Sequence, residues 1–361
     1  MALQFYKIPV AKITHETESA VSIAFEVPEN LRDIFKYKPG QYLTLRVAIG
    51  GKTFNRAYSL CSSSALGEYH TIAVKSTEDG FVSNFLNENI RDGDTLEVMP
   101  PMGNFTIDMS STNERTYVLL GGGSGITPLL SILKSVLALE PNSRVILLYG
   151  NRDEANIIFK SQLDVLTEKS NGRLTVVHVL EQSIENITKY IGRLDAPTIV
   201  SLLKDTVGSN LETAHYFLCG PGGMMAQAEL ALEQLKIAKS NIHREYFTLP
   251  LADAVSSAPV VSAPVDETPQ NREVKLRLYG GNYTINVEPK ETILAAAIRQ
   301  NLDPPYACQI AACCTCRAKL VTGKVVMDSR EALTDDELDE GYILTCQSHP
   351  QTADVLVDYD Q

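Results

Sequence analysis

Four cysteines near the carboxyl end constrain this chain more tightly than anything else in it. They run Cys308-x4-Cys313-x2-Cys316, with Cys346 on a later segment. A binuclear iron–sulfur centre needs four thiolates, two for each iron besides the bridging sulfides. Three ligands close together make one loop wrap a side of the cluster, and the distant fourth closes the cage. The spacing therefore predicts a [2Fe–2S] centre on Cys308, Cys313, Cys316 and Cys346. Zinc ribbons pair two C-x2-C units, and only Cys313 and Cys316 form one here. A redox dithiol on that pair leaves Cys308 and Cys346 unused. Cys314 lies between two ligands and reads as a small side chain turned away from them, and Cys61 as a small buried residue.

The chain has seven cysteines, an odd number, and five of them fall in its last sixth. A disulfide framework spreads its cysteines, whereas clustered thiols in a reducing compartment read as metal ligands. The stretch 1–14 has no basic segment leading into a long apolar run. A cytoplasmic chain without a membrane span is expected. The formal net charge of −12 repels phosphates and argues against nucleic-acid binding. Glu331, Asp335, Asp336, Glu337, Asp339 and Glu340 form an acidic run with no Lys or Arg between them. Such a run is either a solvated face or a docking surface for a basic partner, and docking would weaken as salt rises.

The 361 residues divide by pattern into three domains and a linker. Residues 1–108 are rich in short β-type segments (20–27, 41–48, 70–75 and 95–99) punctuated by Pro39-Gly40, Gly50-Gly51 and Asp92-Gly93. They predict a small antiparallel barrel. Residues 109–248 alternate apolar strands, at 117–120, 144–149, 174–180, 215–219 and 243–247, with helical stretches, which predicts a doubly wound parallel sheet. Residues 249–270 are dominated by Pro, Ala, Ser and Val without apolar periodicity and read as a linker. Residues 271–361 read as an α+β domain: a hairpin around Gly280-Gly281-Asn282, a helix over 291–301, the cysteine loop, and strands at 317–321 and 355–359.

Gly121-Gly122-Gly123-Ser124-Gly125-Ile126-Thr127-Pro128 lies between a predicted strand and a predicted helix over 128–139. Glycines let backbone approach a phosphate, the helix start supplies N–H donors, and Pro128 suits a first turn. No Gly-Lys-Ser/Thr follows, so this is not a Walker loop. Cys219-Gly220-Pro221-Gly222-Gly223-Met224-Met225 ends a later strand of the same sheet, where it can touch the same dinucleotide.

Arg56-Ala57-Tyr58-Ser59 resembles the R-x-Y-S motif of ferredoxin–NADP reductase-type flavoproteins. The resemblance implies that Arg56 binds the pyrophosphate of FAD, with Ala57, Tyr58 and Ser59 along the flavin and Ser59 near its N5. It extends to Val74 and Lys75, and to Gly80, Val82 and Ser83, as further flavin-binding positions. In the second domain it implies pyridine-nucleotide contacts at Gly123, Gly125, Thr127, Pro128, Cys219, Gly220, Pro221 and Met224. Glu245-Tyr246-Phe247 matches the family's E-x-F, so Ser59, Cys219, Glu245 and Phe247 are the expected catalytic surroundings of flavin and nicotinamide. Arg152 is a candidate for the 2′-phosphate of NADPH, with NADH as the alternative donor.

The last domain, with its cysteine spacing, resembles a plant-type ferredoxin of β-grasp fold. The segments Cys313–Lys319 and Gly341–Pro350 look closest to those of phenylacetyl-CoA epoxidase reductases. That implies an oxygenase partner, a multisubunit di-iron epoxidase of phenylacetate degradation. Steroid hydroxylases and desaturases are alternative acceptors, and a non-catalytic iron–sulfur or zinc module is the reading from another class. One departure stands out: the family places glycine between the first two ligands, and Gln309-Ile310-Ala311-Ala312 has none. Hydride transfer moves two electrons together and the cluster takes one at a time. A flavin, which accepts two and releases them singly, therefore belongs between NADPH and the cluster.

Overall fold

The structure is a computed structural model that describes residues 4–78, 80–247, 271–330 and 332–361. The stretch 249–270, read above as a linker, lies outside the described residues, as does Glu331 of the acidic run. The chain divides into two compact units.

The larger unit begins with β1 (Tyr6–Thr17), β2 (Ala20–Phe25), β3 (Tyr42–Ile49), most of β4 (Lys52–Ser59), β5 (His70–Lys75), helix α1 (Phe81–Asn89) and β6 (Thr95–Val98). The strands form one sheet in the order β4-β3-β6-β1-β2-β5. Leu60, just past β4, bridges Ile72 of β5 and closes the sheet on itself, which leaves few open edges. Ile8, Val10, Ile23, Phe25, Leu43, Leu45, Ile72 and Val74 fill its interior. Each fully buried aliphatic of this kind contributes about 1.5–3 kcal/mol. The sequence reading had no helix here; α1 packs Val82 and Leu86 into that core and leaves Phe81 outside.

The second half of the unit runs β7 (Thr116–Gly122), α2 (Ile126–Leu139), β8 (Arg144–Asn151), α3 (Lys160–Lys169), β9 (Leu174–Leu180), α4 (Ala196–Val207), β10 (His215–Gly220), α5 (Gly222–Gln234) and β11 (Ile242–Tyr246). Its five-stranded sheet has the order β11-β10-β7-β8-β9, with every pairing parallel. Alternation along β7 and β8 explains the double cover. Tyr117, Leu119, Val145 and Leu147 face one apolar cluster with α2, while Val118, Leu120, Ile146 and Leu148 face another with α4. Helix α2 starts at Ile126 rather than at Pro128, which is its third residue.

A polar seam ties α2 to the barrel. Buried Lys134 reaches Glu68 at 3.0 Å, and Ser131 Oγ donates to the carbonyl of Ser62 at 2.6 Å. The helix that opens on the glycine loop is thereby held against the flavin-type domain.

At the start of β11 the His243 ring stacks on Phe217 at 4.4 Å, and its buried Nε2 has no hydrogen-bond partner. Burial first, then His215 and Arg244, push this imidazole down to about 4. The folded chain therefore binds fewer protons here than the unfolded chain between about pH 6.5 and 4. Stability falls as pH drops through that window. His243→Phe keeps the stack and is expected to recover about 1 kcal/mol of the loss between pH 7.5 and 5, allowing for partial exposure of the ring. Urea unfolding at both pH values measures it.

The smaller unit contains β12 (Arg272–Leu278), β13 (Gly281–Val287), α6 (Ile293–Arg299), β14 (Arg317–Thr322), β15 (Val325–Met327), α7 (Asp335–Asp339), β16 (Tyr342–Leu344), β17 (Ser348–Pro350) and β18 (Leu356–Asp358). Its main sheet has the order β13-β12-β18-β14-β16, and β15 pairs with β17. Only the β12–β18 pairing in the main sheet is parallel. Helix α6 lays Ile293, Ala296 and Ala297 onto it, giving a small ferredoxin-like α+β fold. The hairpin turn is not where the glycines suggested. Leu278 pairs with Gly281, so the loop is Tyr279-Gly280, both at positive φ (53° and 75°), the signature of a two-residue turn. Among the described residues no helix is long and apolar enough to cross a membrane.

Candidate functional site

The parallel sheet reverses its strand order at β7, so the crevice beyond the carboxyl ends of β7 and β10 is the switch point where ligands bind in such sheets. Both strands end in glycine, and both glycines are there for close approach. A Cβ on Gly122 would meet Met224 Sδ at 2.7 Å, and one on Gly220 would meet Met224 Cε at 2.6 Å. A Cβ on Gly125 would lie 2.1 Å from the carbonyl oxygen of Cys219. The structure thus brings Gly123, Gly125, Thr127 and Pro128 together with Gly220, Pro221 and Met224.

The Gly123 turn needs glycine for its backbone, φ 52°, and is pinned by Tyr149, whose hydroxyl donates to the Gly123 carbonyl at 2.9 Å. Thr127 Oγ1 donates to the Ser124 carbonyl at 3.0 Å. Helices α2 and α5 start here with no side-chain cap, whereas Asp195, Thr292 and Thr334 cap α4, α6 and α7. Open N–H groups at two helix starts, in a cradle that a Cβ would fill, fit a nucleotide pyrophosphate.

Lys75 and Arg152 converge beside this loop. Lys75 Nζ lies 3.7 Å from the position a Cβ on Gly123 would take. Its ammonium is held below the usual lysine range by burial and then by the Arg152 charge. Arg152 is exposed, while neighbouring Asp153 caps a short turn by accepting from the Asn156 backbone at 3.1 Å. Two cations beside a glycine turn suit an anionic ligand.

The flavin-type residues lie on β4, β5 and the start of α1. Ser59 is buried, Ala57 and Tyr58 are half-buried, and exposed Arg56 donates from Nη1 to the Asn55 carbonyl at 2.8 Å. Gly80 precedes α1, another uncapped helix; a Cβ there would strike Ser83 Oγ at 2.1 Å. This start too fits a phosphate, through backbone N–H groups. Val74 and Val82 belong to the barrel core, so only their backbone is available to a cofactor. Glu245 stands beside Cys219 in the β10–β11 register, and Phe247 follows β11 with 37% of its surface exposed. Cys219 is fully buried, and burial followed by the Glu245 charge holds its thiol well above the ordinary range. The thiol is therefore neutral near pH 7 and packed in the apolar cluster of α2.

In the smaller unit the four cysteines come together in two pairs. Among the described residues no group of three converges on one point for a single ion. Cys308 instead shares a hydrogen bond with Cys313, and Cys316 with Cys346. Within each pair the shared hydrogen bond raises one thiol and lowers its partner. Two thiol pairs, each able to hold one iron, are the donor set that a [2Fe–2S] cluster requires. Cys314 is buried and in neither pair.

The loop without glycine reaches this geometry by other means. Gln309 and Ala311 adopt left-handed backbone, φ 59° and 56°, at a cost of about 1–2 kcal/mol each. Ile310 N–H consequently lies 3.4 Å from Cys308 Sγ, and the Ala311 N–H is directed to Cys346. Sequence reasoning missed this, along with the outer partners Thr315, whose Oγ1 is 3.4 Å from Cys313 Sγ, and Gln347. Adjacency to a ligand was the signal that could have found both.

Three domain families match the chain. Residues 7–107 match the oxidoreductase FAD-binding domain family, 119–229 the oxidoreductase NAD-binding domain family, and 276–351 the 2Fe-2S iron-sulfur cluster binding domain family. The chain is 38% identical over 357 residues to one of the subunits of 1,2-phenylacetyl-CoA epoxidase from Escherichia coli K12, covering 99% of this chain and 98% of that one. It is 35% identical over 353 residues to the ferredoxin reductase component of 3-ketosteroid-9-alpha-monooxygenase from Rhodococcus rhodochrous, covering 98% and 96%. Phthalate dioxygenase reductase shares the fold with a TM-score of 0.55 at 23% identity, over 98% of both chains. The chain therefore belongs to the ferredoxin–NADP reductase-type flavoproteins with a carboxyl-terminal [2Fe–2S] domain, and it is an NAD(P)H-dependent electron-transfer reductase.

Proposed function

We propose that this reductase draws on NADPH and serves an oxygenase, the phenylacetyl-CoA epoxidase of phenylacetate degradation. The end-to-end likeness, at 38% identity, to a component of such an epoxidase carries the choice of acceptor. The 35% likeness to a steroid monooxygenase reductase component supports a steroid hydroxylase as second reading. When bound, FAD supplies the conversion of a two-electron donor into single electrons. The chain's own residues do the rest. Arg56 and the start of α1 hold the flavin phosphates, and Tyr58 and Ser59 line the ring. The Gly123–Pro128 turn and Gly220–Met224 hold the pyridine nucleotide, with Cys219, Glu245 and Phe247 shaping its approach. Cys308, Cys313, Cys316 and Cys346 hold the cluster. The proposed domain limits are 1–108, 109–248 and 271–361.

Reconstitution tests the acceptor. NADPH-driven consumption of phenylacetyl-CoA with a phenylacetyl-CoA epoxidase, and none of a ketosteroid with the corresponding hydroxylase, is the expected result; the reverse pattern sinks the first reading. For the donor, Arg152→Ala is expected to raise KM for NADPH about tenfold, the worth of one exposed charge-assisted contact to a 2′-phosphate, and to leave KM for NADH nearly unchanged. Equal effects on both nucleotides would remove Arg152 from the 2′-phosphate.

The acidic face is proposed to dock the oxygenase, with a narrower cast than the sequence suggested. Glu337 is spent inside the fold, paired with Arg317 and closing a capping box with Thr334. Asp335, Asp336, Asp339 and Glu340 remain for a basic partner, and coupled turnover is expected to fall with added salt.

A further inference from the structure

The strained turn between the first two cysteines is held from the far side of the loop by one side chain. Gln347 directly follows Cys346 and is 9% exposed. Its Nε2 donates to the Cys346 carbonyl at 3.0 Å, lies 3.3 Å from the carbonyl of Gln309 and lies 3.4 Å from Cys346 Sγ. One amide thus joins the left-handed residue Gln309 to the fourth cysteine. The opposite support, from Thr345 Oγ1 to the Cys316 carbonyl at 2.9 Å and Tyr359 to Thr345 at 2.9 Å, fixes the other half of the same cysteine pair.

We propose that Gln347 is a positioning residue of the iron–sulfur centre: it secures the glycine-free turn and directs an N–H dipole at the Cys346 sulfur. The inference rests on the reading of Cys308, Cys313, Cys316 and Cys346 as the ligands. Reduction adds one negative charge to the centre, and an N–H aimed at a ligand sulfur stabilises the more negative state. Gln347 therefore makes the cluster easier to reduce as well as easier to keep. The two effects are separable, because the first needs the donor and the second needs the tether. Ala311 provides the handle: glycine at φ 56° relieves the strain that the tether opposes while retaining the N–H.

The test uses the full-length holoprotein and its Q347M, Q347E and Q347M/A311G variants. A redox titration followed by EPR and visible absorbance gives the midpoint, and absorbance decay in a chelator gives cluster retention. Q347M is expected to load about tenfold less at a fixed donor potential, 59 mV for a one-electron couple, and to lose its cluster faster. Q347E, isosteric but unable to donate as a carboxylate and adding charge, is expected to shift further the same way. Q347M/A311G is expected to regain retention while keeping the lowered midpoint. An unchanged midpoint in both Q347M and Q347E overturns the inference, and so does a loss of cluster that A311G does not restore. A parent chain without any cluster signal defeats the ligand assignment itself, and the inference with it.

Discussion

Cys346→Ala is expected to abolish the cluster absorbance and its EPR signal while NAD(P)H still bleaches the flavin. The pairing in the smaller unit explains why one sulfur matters so much. Cys316 and Cys346 stand together as one donor pair, and Cys308 and Cys313 as the other. Removing Cys346 leaves one iron a single protein ligand, and no Asp, Glu or His completes a metal-binding group there among the described residues. Loss of an outer-shell partner alone costs about 10–100-fold in metal affinity, and loss of a ligand costs more. Electron delivery to a one-electron acceptor protein is expected to fall to background. Flavin bleaching is expected to survive because β4, β5, α1 and the β7–β10 crevice belong to other elements. Cys314→Ala and Cys61→Ala are the controls: Cys314 is in neither pair, and Cys61 lies in the larger unit, its thiol raised to about 12 by burial. A Cys346→Ala chain that keeps a normal cluster spectrum would refute the ligand assignment.

The features that were legible in the sequence share a physical cause: chemistry that tolerates few residue types. Two irons require four thiolates, so the spacing of the cysteines could be read directly. Phosphate approach requires glycine at a strand end, so the Gly121–Gly125 run marked the end of β7. Parallel strands buried on both faces must be apolar along their length, and 117–120 and 144–149 stood out for that reason.

What stayed hidden depends on contacts far apart in the chain. Helix α1 is short and has a single apolar face, and it is stable because Val82 and Leu86 find the barrel interior. The capped α7 hides Glu337 against Arg317, which no charge count reveals. The Tyr279-Gly280 turn was obscured because a second glycine followed it, and strand pairing rather than composition set the register. The cysteine loop is the most instructive case. Glycine is the usual way to reach left-handed backbone, so its absence stood out as a departure. The structure reaches that backbone with Gln309 and Ala311 and meets the cost with long-range hydrogen bonds, a solution that local sequence does not encode.

Gly125→Ala is expected to weaken NAD(P)H binding at least about tenfold and to destabilise the larger unit by about 3 kcal/mol, near the upper end of overpacking costs. The added methyl would sit 2.1 Å from the Cys219 oxygen, 2.5 Å from its carbonyl carbon and 2.8 Å from Gly220 Cα. All three are backbone atoms, so no rotamer change relieves the clash, and either the turn or the end of β10 must move. Both form the cradle, so binding and stability fall together. Gly123→Ala isolates the other use of glycine in the same loop. Its φ of 52° penalises alanine by about 1–2 kcal/mol, but the nearest atom to a Cβ there is the end of the flexible Lys75 side chain at 3.7 Å. The two variants should therefore rank in opposite order to their backbone strain, with Gly125→Ala, at an ordinary φ of −61°, the more damaging. Urea unfolding and the NAD(P)H dependence of flavin bleaching measure the two effects. If Gly123→Ala proves the worse in both, backbone conformation rather than close approach controls the cradle, and the juxtaposition of the β7 and β10 loops loses its place in nucleotide binding.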